Sequence, residues 1–531
     1  MLPHWLKKWL NSTDSENSPH WKTDNSIYNF LLSHINENGS LSAEAENLPD
    51  EPGKHASLRF APGLRDALLG IGAPDEKIIA QWVQLLKEVS LTGNEEAKFR
   101  FYNAVTAEED VIGFIDEFIS EIVKERLPVE PYLFPYAIEL ATKTNHRNSV
   151  KIGLALVGLC QNPSVLPELK VLGLHEEFAL YASIAVSGLS LNVEEELWNM
   201  AKKLHGWGRI RIVGMLAEME LSEQVKEWMV KEGYRNSILN EYLACTCAIK
   251  GELHLKLEAG EISKDLFQSA SEILEALFDE YSPGETIDDY PFAASAIPHF
   301  LRHAHMHDTN IAFFNLLHSI QNYLQSLPYD DQALKNTGWN RESVNDCMRD
   351  IHNLLTGRDW KKQAEEALKS KDPNIYHYGK AAAEKLGIDL WDNVWNRLKE
   401  NPLSGTAWYD ATHYAQPEHA DEVIQFAIQN LPLKKLGTGP DVSLGMGEDF
   451  QLHQSLEFIT LFLEGHPGKG KEILFTALQS PVIRIRNAAL KVLETWKHSL
   501  PIAEFISGLK QLKTSEPQED LKEKIDKLLQ S

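Results

Sequence analysis

An all-α fold, an α-solenoid of irregular helical hairpins, is what the sequence predicts, and three observations predict it. Apolar residues recur at helical spacing along most of the chain. Alternating apolar runs bounded by Asn-Gly or Asp-Gly turns, which mark hairpin strands, are missing. Helix pairs of related pattern return along the chain, and self-similar pairs imply a stacked array rather than one bundle. The length of 531 residues agrees, because a chain this long exceeds one compact core. Hydrophobic residues at 43% and charged residues at 24% are ordinary globular usage, so the chain is expected to fold.

The elements follow in order. Trp5, Leu6, Trp9 and Leu10 form a short amphipathic face, too small to anchor firmly in a membrane, so a docking helix is expected there. Residues 11–56 are rich in Ser, Asn, Asp, Glu, Pro and Gly, which predicts a mostly disordered linker with one short helix over 27–35. Over 106–126, Thr106 and Glu109 read as a capping box ahead of Val111, Ile115, Phe118 and Ile122, and Leu127-Pro128 ends the helix. The helix predicted over 148–159 carries Gly153, Ala155 and Gly158, small residues that let a neighbour approach closely. Leu266, Ala270, Ile273, Leu277 and Tyr281 repeat the stripe until Pro283-Gly284 closes it.

Asp372-Pro373 starts a further helix with Ala381, Ala382 and Ala383 on it. Ser480 as N-cap and Pro481 at the first turn open another, with Val482, Ile485, Ala489, Val492, Leu493 and Trp496 on one face. After a turn at 497–501, Ile502, Phe505, Ile506, Leu509 and Leu512 supply the second stripe of that hairpin. Pro-Val-Ile-Arg-Ile-Arg-Asn-Ala-Ala-Leu, from Pro481 on, resembles the second helix of a HEAT repeat, so the solenoid is expected to be HEAT-like. Gly- and Pro-rich interruptions divide the chain into 1–55, the N-terminal helix and linker; 56–285, a helical-repeat array; 286–440, an irregular array; and 441–531, C-terminal HEAT-like repeats.

Charge excludes one partner class. Lys and Arg total 52 against 77 Asp and Glu, a net charge of -25, which repels polyphosphate, so no nucleic acid is expected. No apolar run approaches the roughly 18 residues of a spanning helix, and the N-terminus lacks an apolar secretory core. Cys160, Cys245, Cys247 and Cys347 are too few and too scattered for a disulfide framework, which fits a reducing cytoplasm.

Searches for chemistry return one metal candidate. Gly465-His466-Pro467-Gly468-Lys469-Gly470-Lys471 matches a phosphate loop except that Glu472 replaces the magnesium-binding hydroxyl, so a helix–helix turn is expected. Gly445-Met446-Gly447 lacks the third glycine of a dinucleotide site and reads as a loop. No Gly-x-Ser-x-Gly elbow occurs, and Cys245 and Cys247 fall in an apolar stretch as core thiols. His299, His303 and His307 are four apart and would line one helical stripe. With Asp308 or a carboxylate from elsewhere they would suit zinc or iron; the alternative is a solvated His-rich helix end.

Leu204-His205-Gly206-Trp207-Gly208-Arg209-Ile210-Arg211-Ile212-Val213, followed by Val225-Lys226-Glu227-Trp228-Met229 and by Glu232-Gly233-Tyr234-Arg235-Asn236, resembles Bacillus-type proteins labelled limonene hydroxylase. The resemblance is sharpest over 204–251. It implies a monooxygenase inserting oxygen at an allylic carbon of limonene to give carveol- or perillyl-type alcohols. Such chemistry takes O2, NAD(P)H and iron, haem or flavin, because side chains do not activate dioxygen. The resemblance names no catalytic or cofactor-binding residue, which leaves the three histidines as the iron candidate. Within it His205, Trp207, Arg209 and Arg211 form a polar-aromatic cluster whose arginines suit either a bound anion or local carboxylates. The competing expectation, favoured by the residues themselves, is a non-catalytic helical-repeat scaffold that binds a partner protein.

Overall fold

A computed structural model describes residues 21–51, 60–69, 75–447, 450–499 and 502–530. Among these the fold is all-helical with no strand, and the extended pairings are two isolated bridges, Ile35 with Leu41 and Ser443 with Val482. The amphipathic face of Trp5 to Leu10 lies outside the described residues.

The chain forms two compact units. Among the described residues, unit 1 holds 21–51, 60–69, 75–309 and 316–358, and unit 2 holds 310–315, 359–447, 450–499 and 502–530. Along the chain the change of unit falls between Arg358 and Asp359. Both expected breaks are packed inside a unit: Gly284 sits so close to the Glu241 carbonyl that a Cβ would stand 2.3 Å from its oxygen. At the other, Gly439 N–H donates to the Gln479 carbonyl at 2.8 Å.

Within unit 1 the helices Leu133–Thr142, Leu166–Leu172 and Val193–Ala201 each pack against the helix that follows, namely Arg147–Leu159, Ala179–Leu189 and Trp207–Ala217. These second helices also pack on one another in sequence, the last against Ala244–Lys250. In unit 2 the second helices Gly405–Tyr414, Gln451–Phe462, Ile483–Trp496 and Glu519–Gln530 do the same.

Small residues set the closest approach. Gly153 faces helix Leu133–Thr142, where an added Cβ would meet the Ala141 nitrogen at 2.5 Å, whereas Gly188 has open space. Alanine raises helix propensity at both positions by up to about 1 kcal/mol. Gly188→Ala is therefore expected to stabilise slightly, and Gly153→Ala to lose about 1–3 kcal/mol through the clash. Urea unfolding followed by circular dichroism reads both.

Several boundaries differ from the sequence expectation. Helix Glu95–Thr106 ends where the capping box was placed: Thr106 Oγ1 donates back to the Tyr102 carbonyl at 2.9 Å, and Glu109 pairs with Arg65. The next helix is Ile112–Glu125, with Ile115, Phe118 and Ile122 buried as predicted. Helix Lys264–Leu277 stops a turn before Tyr281, because Asp279 Oδ1 accepts from the Tyr281 N–H at 2.9 Å and turns the chain, leaving that ring in solvent. Asp372 caps helix Pro373–Lys385 as expected, accepting from Asn374 N–H at 2.8 Å. Helix Ile483–Trp496 instead starts after Pro481, with Val482 as N-cap, because the carbonyls of Ser480 and Pro481 are both taken by Arg486.

The expected linker is the largest correction. Residues 21–51 are docked on unit 1: the Trp21 ring lies 5.6 Å from Tyr102 and 5.7 Å from Tyr136, and Ile27, Leu31, Ala45 and Leu48 are buried. Thr23 and Ile27 N–H groups donate to the carbonyls of Lys143 and Thr144, both at 2.9 Å. Composition concealed this because a few apolar residues among many polar ones suffice when a preformed helical surface receives them.

Candidate functional site

The three histidines do not share a metal position. Helix Ala293–Ala304 ends with His305 as C-cap, so His307 falls beyond it and stacks on Phe267 at 4.7 Å. His303 is fully buried with Nε2 2.9 Å from the Leu257 carbonyl, an acceptor that requires a proton on that nitrogen. His299 is half-buried, and burial, followed by the nearby Arg302, lowers its pKa. Among the described residues no three His, Cys, Asp or Glu side chains gather as metal ligands.

The cluster around Arg209 is also closed. Arg209 Nη1 donates to the carbonyls of Ala201 (3.0 Å) and Leu204 (3.2 Å), and Nη2 to that of Glu232 (2.6 Å). Arg211 Nη2 reaches the Ala67 carbonyl at 2.9 Å, and Trp207 meets the Tyr242 ring edge-on. Both arginines therefore serve backbone carbonyls rather than an anion. The anion-accepting groups nearby are the N–H groups of His205 and Gly206 ahead of helix Trp207–Ala217 and of Gly208 in its first turn, and Glu176 fills them at 2.7, 2.7 and 2.6 Å.

A buried charge network lies beside it. Lys151 Nζ stands 2.7 Å from Asp66 Oδ2 and 2.7 Å from Glu177 Oε1, with all three side chains nearly excluded from water. Arg147 extends the network to Asp50, Glu51 and Glu177, and Gly63 N–H donates to Glu177 Oε2 at 2.9 Å. Burial would raise the Glu177 carboxyl, but Lys151, Arg147 and the Gly63 N–H bring it down to about 2. Asp66 is raised instead, because its burial, with the nearby Glu177 charge, outweighs Lys151 and a Tyr181 hydrogen bond. Burial pulls the neighbouring His175 down to about 4. The network ties segments 50–51 and 63–66 to helix Arg147–Leu159. Only Lys151, a cation inside an apolar helix face, marks it in the sequence.

Burial raises the thiols by the same physics. Burial pushes Cys160 up to about 11 and Cys245 and Cys347 to about 12, with Cys247 higher still. The phosphate-loop lookalike is the expected turn: it joins helix Gln451–Phe462 to Lys471–Leu478, and Lys469 and Lys471 pair with Asp421 and Glu504.

One feature open to a ligand is a loop in unit 2. Arg486 and Glu516, both fully buried, form a two-bond ion pair at 2.7 Å, and Arg486 Nη2 also donates to the Asp441 carbonyl at 2.8 Å. Ile483 N–H donates to the Ser443 carbonyl at 3.0 Å, and Arg484 grips the carbonyls of Leu444 and Gly445. Gly445 adopts φ +68° and lies where a Cβ would meet Val482 at 2.6 Å. The backbone is thus pinned inward while Val442, Leu444 and Met446 are 52%, 45% and 65% exposed. Leu444 and Met446, with Ile483, Arg484, Leu521 and Lys524, line a cleft of about 430 Å³. Comparison of the chain with protein-family models and with curated proteins finds no match to either.

Proposed function

We propose that the chain is a non-catalytic helical-repeat scaffold, with HEAT-like helix pairs in both units, that binds a partner protein through the 441–446 loop of unit 2. One observation carries this reading: a fully buried Arg486–Glu516 ion pair and a second arginine, Arg484, hold a loop whose three apolar side chains face solvent. Rigid, exposed apolar anchors beside a cleft are what protein recognition uses, since little ordering entropy is lost on binding. The successive packing of second helices supports the repeat architecture.

The limonene oxygenase implied by the resemblance would need a redox centre, and the residues singled out for iron do not fit one. His303 Nε2 is committed to a carbonyl and His307 to the Phe267 face.

Met446→Asp separates the readings. As a surface change it is expected to leave unfolding within about 0.5 kcal/mol of the parent. It is also expected to weaken a partner identified by crosslinking in the source cells, and reconstituted from purified components, by about tenfold or more. Failure to find any partner whose binding depends on Met446 overturns the scaffold reading, as does oxidation of limonene by the purified chain with O2 and NAD(P)H.

A further inference from the structure

Sulfur is unevenly exposed along the chain. Met200 and Met229 are buried, and Met229 Sδ also accepts from Cys247 Sγ at 3.6 Å. Met215 Sδ accepts from Ser183 Oγ at 3.3 Å. Met306 and Met446 instead stand 53% and 65% in solvent. The four cysteines compete weakly for a peroxide, because burial raises every one of them and the thiolate is the form that reacts.

Position separates the two exposed sulfurs. Met306 follows helix Ala293–Ala304, and its N–H donates to the His303 carbonyl at 2.9 Å. Met446 belongs to the pinned loop of unit 2, between Gly445 at φ +68° and Gly447 at φ +91°. It lines the same cleft as Arg484, Asn487 and Lys524. Oxidation of a thioether to a sulfoxide turns a flexible apolar side chain into a polar one. The new oxygen accepts hydrogen bonds, and these three side chains are donors in that cleft. Lys524 Nζ already uses a proton on Asn487 Oδ1, at 2.6 Å, and an ammonium carries further ones.

We propose that Met446 is a reversible oxidation site that switches the binding surface of the unit 2 loop. A hydroperoxide gives one oxygen atom to Sδ; its O–O bond breaks, the sulfur is oxidised by two electrons, and the remainder leaves as water or an alcohol. Two thiols restore the thioether, forming a disulfide and water, the reaction that methionine sulfoxide reductases catalyse. The reduced loop offers Val442, Leu444 and Met446 as apolar anchors, and the oxidised loop places a polar group among them. The switch rests on reading the 441–446 loop as the binding surface, whereas the oxidation itself does not.

The test treats the full chain with hydrogen peroxide for graded times and follows each methionine by peptide mass spectrometry. The loop is followed by the fluorescence of anilinonaphthalene sulfonate, whose rings suit the apolar anchors and whose sulfonate suits Arg484 and Lys524. Met446 is expected to gain its oxygen about tenfold or more faster than buried Met200 and Met229. The probe signal is expected to fall in step and to return with sulfoxide reductases for both epimers and dithiothreitol. Met306→Leu is expected to respond as the parent does, whereas peroxide is expected to leave the Met446→Leu signal at its own starting level. Met446→Gln, a fixed polar side chain, is expected to match the oxidised parent. Oxidation of Met446 no faster than of Met200 and Met229 overturns the proposal. So does a probe loss that persists in Met446→Leu, or an unchanged signal once Met446 is fully oxidised. Neither readout uses the partner protein, so failure here and failure of the scaffold reading are separate results.

Discussion

Lys151→Met is expected to destabilise unit 1 by about 3–5 kcal/mol at pH 7, because it leaves Asp66 and Glu177 facing each other in the interior without their common cation. The loss should shrink on acidification. Asp66, already raised by burial, takes a proton more readily once Lys151 is gone, which removes one of the two stranded charges. Urea unfolding at pH 7 and pH 5 measures the difference, and a penalty equal at both values would disprove this origin. The parent chain itself should lose stability with acid for two reasons. His175, held near 4 against an ordinary 6.5, must gain its proton on unfolding, so its contribution fades as pH falls from 6.5 towards 4. Glu177, held near 2 against 4.5, contributes above 4.5 and loses that contribution as pH falls towards 2. Asp66 works against both, since its raised pKa favours the protonated folded state at low pH.

Glu516→Gln should be comparably severe in unit 2. It leaves the Arg486 guanidinium buried against carbonyls and a neutral amide, and breaking a fully buried pair on one side costs about 3–5 kcal/mol. Removing both charges is different: Arg486→Met with Glu516→Leu is expected to recover much of that loss, since a well-packed apolar pair often matches a buried ion pair. The double variant gives up the bond to the Asp441 carbonyl, however, so amide exchange across 439–447 should rise even where global stability returns. Loop exchange that tracks global stability in both variants would show that Arg486 does not hold the loop.

The two networks show what the sequence disclosed and what it hid. Helix class and most buried stripes were legible, because periodicity is local: Ile485, Ala489, Val492 and Trp496 announce their face within four turns. Helix ends were less legible. Ser480 has the composition of a cap, but Arg486, six residues on, decides the boundary by taking the carbonyls of Ser480 and Pro481. Long-range pairings were hidden altogether, since Asp66 is 85 residues from Lys151 and nothing nearby selects either as a partner. The histidine stripe is broken for a local reason, because four-residue spacing aligns side chains only while the helix lasts, and it ends at Ala304. The 441–446 loop was readable as a loop. Its alternation of Val442, Leu444 and Met446 with Asp441, Ser443 and Gly445 acquires meaning only once Arg484 and Arg486 are seen to turn the backbone inward.

The suppressed acidity of the four thiols makes the native chain its own blank for maleimide labelling. With the lowest at about 11, the thiolate fraction at pH 7 is on the order of one in ten thousand. A single cysteine placed at 442 or 446 would react far ahead of Cys160, Cys245, Cys247 and Cys347. Fluorescent or spin probes can therefore report on the unit 2 loop in this chain without first removing any of its four cysteines.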